Sequence, residues 1–249
     1  MDRTILLTRS DNQNAVFESC LRRSLDLPDD TGVVSRTLLN PVTVKLSEAS
    51  KRKILELDRY DHIVFISQNA VKYGLPGLND YWPQWPLSLS WYAVGPATAK
   101  RLRDNGIESQ QPQLASSEGL LALPLLSGQV GKVLIVRGVG GRELLRETLT
   151  KRGATVDYLE VYRREAIDYG GHFNRDLQAE VIVPVYSGEA IDRLMELVPD
   201  YSQLKLIVPS RRLQMMAIKS GFDKVWLAAN QQNESMLEAV LRVVNNASD

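Results

Sequence analysis

The chain has 249 residues, 44% of them hydrophobic, enough for one large domain or two small ones with their own cores. Its 30 Lys and Arg balance 30 Asp and Glu, so no global field draws it to nucleic acid or a membrane surface. The single cysteine, Cys20, excludes an internal disulfide and a thiolate metal cluster. No apolar run approaches the roughly 18 residues of a membrane span, and the first apolar run is too short for a signal peptide. A cytoplasmic protein is expected.

In chain order, a continuous apolar run predicts a strand at 4–8, followed by a helical pattern at 11–25 and a weaker strand at 33–38. Pro41 marks a linker at 38–41. Strands at 62–66, 91–94 and 133–136 then alternate with helices at 69–79, 97–105 and 142–152. After a second linker at 161–166, strands at 181–185, 204–208 and 225–227 alternate with helices at 189–197, 211–220 and 234–245. Short, wholly apolar strands are buried on both faces, as in parallel sheets. Their alternation with helices predicts an α/β protein.

The chain repeats itself. Phe65-Ile66-Ser67-Gln68-Asn69-Ala70 parallels Val185-Tyr186-Ser187-Gly188-Glu189-Ala190, and Tyr92-Ala93-Val94-Gly95-Pro96 parallels Leu206-Ile207-Val208-Pro209-Ser210. A further pair, Ile5-Leu6-Leu7-Thr8-Arg9 and Leu134-Ile135-Val136-Arg137, stands in a different order relative to those segments. A simple tandem duplication cannot produce that order. It predicts two similar domains, one inserted in the other: domain 1 at 1–37 plus 167–249, and domain 2 at 42–160. Doubly wound sheets bind ligands at the carboxyl ends of their strands, so two such edges across a double linker would form an interdomain cleft.

The turns carry the candidate chemistry. In Arg137-Gly138-Val139-Gly140-Gly141-Arg142, glycines at a strand–helix junction let backbone N–H groups approach an anion. Glu160 further on invites a dinucleotide reading, but the third glycine of that motif would fall at Glu143, whose carboxylate repels pyrophosphate. The loop is thus an anion-binding loop or a plain tight turn. Ser67 and Ser187 each open a helix, as N-caps do. With Gln68, Asn69 and Gly188 they offer donors wherever these turns face a ligand, as do Gly95 and Thr98 in the Gly95-Pro96-Ala97-Thr98 turn. Arg9 and Arg137 hold equivalent strand ends. With Arg142, Arg163 and Arg164, they are either exposed charge or the lining of a site for several carboxylates. His62 and His172 lack the company of a triad or a zinc site, so no metal is expected.

Phe65-Ile66-Ser67-Gln68-Asn69-Ala70-Val71, Val94-Gly95-Pro96-Ala97-Thr98-Ala99, the stretch from Leu134 through Arg142 to Ala154, and Val161-Tyr162-Arg163-Arg164 together resemble the uroporphyrinogen-III synthase family. Tyr186-Ser187-Gly188 and Val208-Pro209-Ser210-Arg211 look like the matching C-terminal elements, so the resemblance spans nearly the whole chain. It implies two flavodoxin-like doubly wound parallel-sheet domains joined by a double linker, with the active site between them. It implies a lyase of haem biosynthesis that cyclises a linear tetrapyrrole, hydroxymethylbilane, to uroporphyrinogen III with loss of water and inversion of ring D. It implies no metal or organic cofactor. Tyr162 matches the family's tyrosine near the linker, the proton donor to the leaving hydroxyl; a phenol is protonated at neutral pH and able to donate. Ser67, Thr98 and Ser187 match cleft-lining positions. Many members carry Gly-x-x-Thr-Ala where this chain has Pro209-Ser210-Arg211-Arg212, which makes Arg211 a candidate substrate contact. A monomer is expected, without nucleic-acid or membrane partners. The alternative is a two-lobed, non-catalytic protein that closes on a small anion.

Overall fold

A computed structural model of the chain describes residues 3–24, 27, 31–127, 130–175, 177 and 180–246. The elements in chain order are β1 Arg3–Leu7, α1 Asp11–Arg23, β2 Thr31–Ser35, β3 Leu39–Thr43, α2 Glu48–Leu55, β4 His62–Phe65, α3 Gln68–Asn79, β5 Ser90–Ala93, α4 Pro96–Arg103, α5 Ser117–Leu121, α6 Pro124–Ser127 and β6 Lys132–Gly138. There follow α7 Leu144–Lys151, β7 Thr155–Ala166, β8 Glu180–Pro184, α8 Gly188–Leu197, β9 Leu204–Val208, α9 Arg211–Lys219, β10 Val225–Leu227 and α10 Asn233–Asn246. The chain divides into two compact units, an outer one of Met1–Asn40 with Glu165–Asp249 and an inserted one of Pro41–Arg164.

The outer unit carries a five-stranded sheet in the order β10-β9-β8-β1-β2, and its strand pairings are parallel. Renumbered within the unit, this is 2-1-3-4-5, the flavodoxin order. Ile5, Leu6, Ile182, Leu206 and Ile207 are fully buried. One face packs with Ile191, Leu194, Leu213 and Ala217 of α8 and α9, and the other with Phe17, Leu21, Met236 and Val240 of α1 and α10. Strands covered on both faces explain why the sequence shows continuous apolar runs rather than alternation.

The inserted unit has the order β3-β7-β6-β4-β5. Its strand with the terminal arginine, β6, occupies the place β1 holds in the outer unit, and β7, β4 and β5 match β2, β8 and β9. An isolated parallel bridge between Tyr92 and Gln110 stands where β10 stands in the other sheet. The inserted unit is therefore the same fold entered at its third strand, a circular permutation, as the out-of-order repeat requires. Phe65, Leu134, Val136 and Leu159 pack on one face with Val71 and Leu78 of α3; Val133 and Ile135 pack on the other with Leu145 and Leu149 of α7.

Both segments expected as linkers are strands. β3 places Pro41 on the sheet edge, where a missing N–H breaks no ladder. β7 runs through 161–166 and ends in exposed Arg163, Arg164 and Glu165. Hydrogen bonds from Val44 N to Val161 O and from Ile167 N to Leu38 O bracket this pair of crossing strands.

Candidate active site

In each unit the strand order reverses between the first and third strands of its fold, which is where doubly wound sheets bind ligands. In the inserted unit these are β6 and β4. Ser67 caps α3, its Oγ accepting from Ala70 N at 3.0 Å. The same Oγ lies 3.2 Å from the Tyr162 hydroxyl, either group donating. Tyr162 sits on β7 beside Gly138 of β6, across a register shift. Its ring is buried, only 2% exposed, stacked on Tyr73 with centroids 5.6 Å apart. The ring also lies against Gly138: a Cβ there would meet its nearest carbon at 2.7 Å, so only glycine fits. Arg164 Nη2 donates to the Tyr162 hydroxyl at 3.5 Å. The phenol is thus fixed in place by a ring, a glycine, a serine and a guanidinium.

The glycine loop follows immediately. Gly140 and Gly141 have φ of 76° and 96°, the left-handed region that glycine adopts without strain. Arg137 does not reach out of this loop as a free cation. It is 2% exposed; its Nε donates to Gly138 O at 3.2 Å, Nη2 to Gly140 O, and Nη1 to Glu143 Oε1 at 3.1 Å. The other oxygen of Glu143 accepts from Tyr158 OH at 2.7 Å, and the Arg137 guanidinium lies 4.4 Å over the Tyr158 ring. The hydrogen bond from Tyr158, and then the charge of Arg137, hold the Glu143 carboxyl below its ordinary pKa; burial and the Glu143 bond push Tyr158 up to about 12. Arg137 therefore shapes the loop, and the loop's backbone is what remains to meet an anion.

In the outer unit the corresponding strands are β1 and β8. Ser187 caps α8, accepting from Ala190 N at 3.2 Å. Gly188 lies close to the end of the Met216 side chain. Arg9 follows β1, with its guanidinium 4.2 Å over the Tyr186 ring. Among the remaining expected residues, Gln68 is exposed and Asn69 half-buried at the start of α3. Gly95 approaches Ala115 so closely that a Cβ would meet it at 2.5 Å. Thr98 is buried at 4% exposure within α4. Arg211 is exposed in the first turn of α9, whose N-cap Ser210 accepts from Leu213 N at 3.4 Å. Among the described residues no group of three or more His, Cys, Asp or Glu could hold a metal, and no helix is long and apolar enough to cross a membrane.

A family model described as uroporphyrinogen-III synthase HemD matches residues 32–238. The uroporphyrinogen-III synthase of Salmonella typhimurium is 34% identical over 200 residues, spanning 76% of this chain and 81% of that protein. The chain belongs to the uroporphyrinogen-III synthase family.

Solved structures of the family share the fold at 16% identity. Uroporphyrinogen-III synthetase from Helicobacter pylori aligns with a TM-score of 0.64, covering 97% of this chain and 99% of that one. A mutant uroporphyrinogen III synthase from Thermus thermophilus aligns at 0.62, covering 99% and 100%. Arg164, singled out in the sequence with the other arginines, lies beside the Tyr162 hydroxyl; the structure adds Tyr73 against Tyr162, the Tyr158–Glu143 pair around Arg137, and Tyr186 against Arg9. Tyr186 adjoins Ser187, which the sequence singled out. Tyr73 carried no signal beyond one aromatic on a helix.

Proposed function

We propose that the chain closes hydroxymethylbilane into uroporphyrinogen III, acting as a cyclising lyase of haem biosynthesis with Tyr162 as the proton donor. The observation that supports this mechanism is the Tyr162 hydroxyl held against Ser67 at the carboxyl end of β4. The hydroxyl at the hydroxymethyl end of the substrate takes a proton from the phenol and leaves as water. The resulting azafulvene cation, stabilised by its pyrrole nitrogen, is attacked by the substituted carbon of ring D at the other end. That spiro intermediate fragments and recloses with ring D inverted, and the proton lost on closure restores the phenol. Arg164 lies beside the hydroxyl, its Nη2 3.5 Å away.

The substrate also closes unaided, to the isomer without inversion. The task is thus orientation of a flexible polyanion, which alone supplies several kcal/mol and needs no paired acid and base. The turns at Ser67-Gln68-Asn69, Gly95 to Thr98, Gly138 to Gly140 and Ser187-Gly188 offer backbone donors for its carboxylates, with Arg211 as a further cationic contact. We read the protein as a cytoplasmic monomer, its oligomeric state tested by size-exclusion chromatography. The deciding assay supplies porphobilinogen and a deaminase and resolves isomers I and III by chromatography. Isomer III is expected. Isomer I alone would refute the enzyme reading in favour of a non-catalytic anion binder.

A further inference from the structure

The two strand-end arginines have diverged, and the difference names a ligand. In the inserted unit Arg137 and Tyr158 hold one carboxylate between them, each taking one oxygen of Glu143. In the outer unit Arg9 meets a tyrosine on its other flank: Tyr186 follows β8, the counterpart of β4, whereas Tyr158 lies on β7, the counterpart of β2. The parallel register of β1 and β8, Arg3 opposite Glu180 and Ile5 opposite Ile182, continued past the strand ends, sets Arg9 beside Tyr186. Thr8 Oγ1 donates to Pro184 O at 3.3 Å and ties the two ends together.

The backbone of Arg9 is held on both sides. Its N–H donates to Asn14 Oδ1 at 2.9 Å, and its carbonyl accepts from Asn14 Nδ2 at 2.8 Å; the one proton of the Thr37 hydroxyl goes either to that carbonyl at 2.7 Å or to Asp11 Oδ1 at 2.6 Å. Asn14 is itself buried. The Tyr186 hydroxyl is buried without a partner at good hydrogen-bond geometry among the described residues; burial pushes the phenol's pKa up, and the Arg9 guanidinium is close enough to work against that push by charge and hydrogen bonding. The residue six after Arg9 is Ala15, where Arg137 has Glu143, so the loop after β1 does not supply the carboxylate that the loop after β6 does. A half-buried guanidinium, always charged, and a buried phenol hydroxyl both gain from one shared carboxylate, since charge-assisted bonds are the strong ones.

We infer that Arg9 and Tyr186 form a carboxylate clamp that takes an acetate or propionate arm of the ligand, the role that Glu143 plays as an internal carboxylate for Arg137 in the inserted unit. This rests on the proposed function only for the identity of the ligand; the clamp itself is a site for an organic carboxylate. Neither group takes part in the proposed proton transfer.

The probe is uroporphyrin I, an octacarboxylate, titrated by fluorescence anisotropy against the full chain and its Arg9→Met, Arg9→Lys and Tyr186→Phe variants. Michaelis kinetics on hydroxymethylbilane run in parallel. Arg9→Met is expected to raise both the Kd for uroporphyrin and the KM by about tenfold or more, with kcat nearly unchanged. Tyr186→Phe raises both several-fold, and added guanidinium ion partly restores Arg9→Met. If Arg9→Met does not fold, Arg9→Lys and Tyr186→Phe keep the stem and the ring and carry the same test. Unchanged Kd and KM in folded variants, or a loss confined to kcat, overturns the clamp while leaving the enzyme reading intact. Arg9-dependent uroporphyrin binding without formation of isomer III supports the clamp and refutes the enzyme reading alone.

Discussion

Replacing Gly138 with alanine probes the packing that fixes the phenol. The added Cβ would stand 2.7, 2.9 and 3.1 Å from three carbons of the Tyr162 ring, against about 3.5–4.0 Å for comfortable carbon contacts. The ring must therefore retreat by about 1 Å, which disturbs its stacking on Tyr73. Overpacking of this kind costs about 1–3 kcal/mol, and each kcal/mol lowers Tm by about 2–4 °C in a chain of this size. The same displacement disturbs the 3.2 Å contact of the hydroxyl with Ser67, and a misplacement of about 1 Å can cost about 10²-fold in rate. Calorimetry and the isomer-resolved assay measure the two effects. Gly140→Ala is the control, since nothing lies within 4 Å of its Cβ; it carries only the strain of a positive φ, about 1 kcal/mol. If Gly138→Ala keeps both the wild-type Tm and the wild-type rate of isomer III formation, the packing account of Tyr162 is wrong.

Tyr162→Phe should slow turnover by about 10²-fold with KM nearly unchanged, read by the same assay; an unaltered rate removes Tyr162 as the acid. Ser67→Ala and Ser187→Ala should each lose about 1 kcal/mol of stability as lost helix caps, but only Ser67→Ala should also lower kcat, because only Ser67 touches Tyr162. Arg137→Met should destabilise the protein by about 2–3 kcal/mol in urea unfolding, with its main effect on stability rather than KM, because its hydrogen bonds lie within its own loop. The Tyr158–Glu143 bond also sets a pH window. Glu143 is depressed below 4.5 in the folded state, so its contribution is present above that pH and is lost as pH falls through the folded value. Tyr158 is raised from 10.0 to about 12, so its contribution is present below pH 10.0 and is lost as pH rises toward about 12. The Tm difference between wild type and Tyr158→Phe should be flat between those limits and shrink on either side; a difference that is constant at every pH would contradict this.

Legibility in the sequence followed burial. Strands inside each sheet, such as β1, β6 and β9, carry runs of three or four consecutive apolar residues and stood out. β7 did not, because Thr155, Asp157, Glu160 and the run Arg163-Arg164-Glu165 break the apolar pattern of a strand that ends exposed. α2 escaped notice because Ile54 alone in it is buried, leaving no apolar stripe, and β3 was obscured by Pro41. The permuted repeat was readable, since matching turns recurred in an order that only insertion explains. At the site, Ser67 and Ser187 were legible as caps from their place between an apolar run and a helical pattern. The state of Arg137 was not: whether a strand-end arginine meets solvent or a carboxylate six residues on depends on how Gly140 and Gly141 turn the chain, which composition does not encode. The same holds for Arg9 and Tyr186, which stand far apart in the chain and meet only through the register of β1 and β8.

That long separation also dictates how the polypeptide is born. β1 emerges from the ribosome early, yet its neighbour β8 begins only at Glu180, about ten to thirty seconds later at ordinary elongation speeds. During that interval β1 has β2 on one flank and a bare apolar edge on the other, while the whole inserted unit is synthesised and can fold. The nascent N-terminal segment must wait, shielded or at risk of mispairing, until the C-terminal third arrives to close the sheet around it.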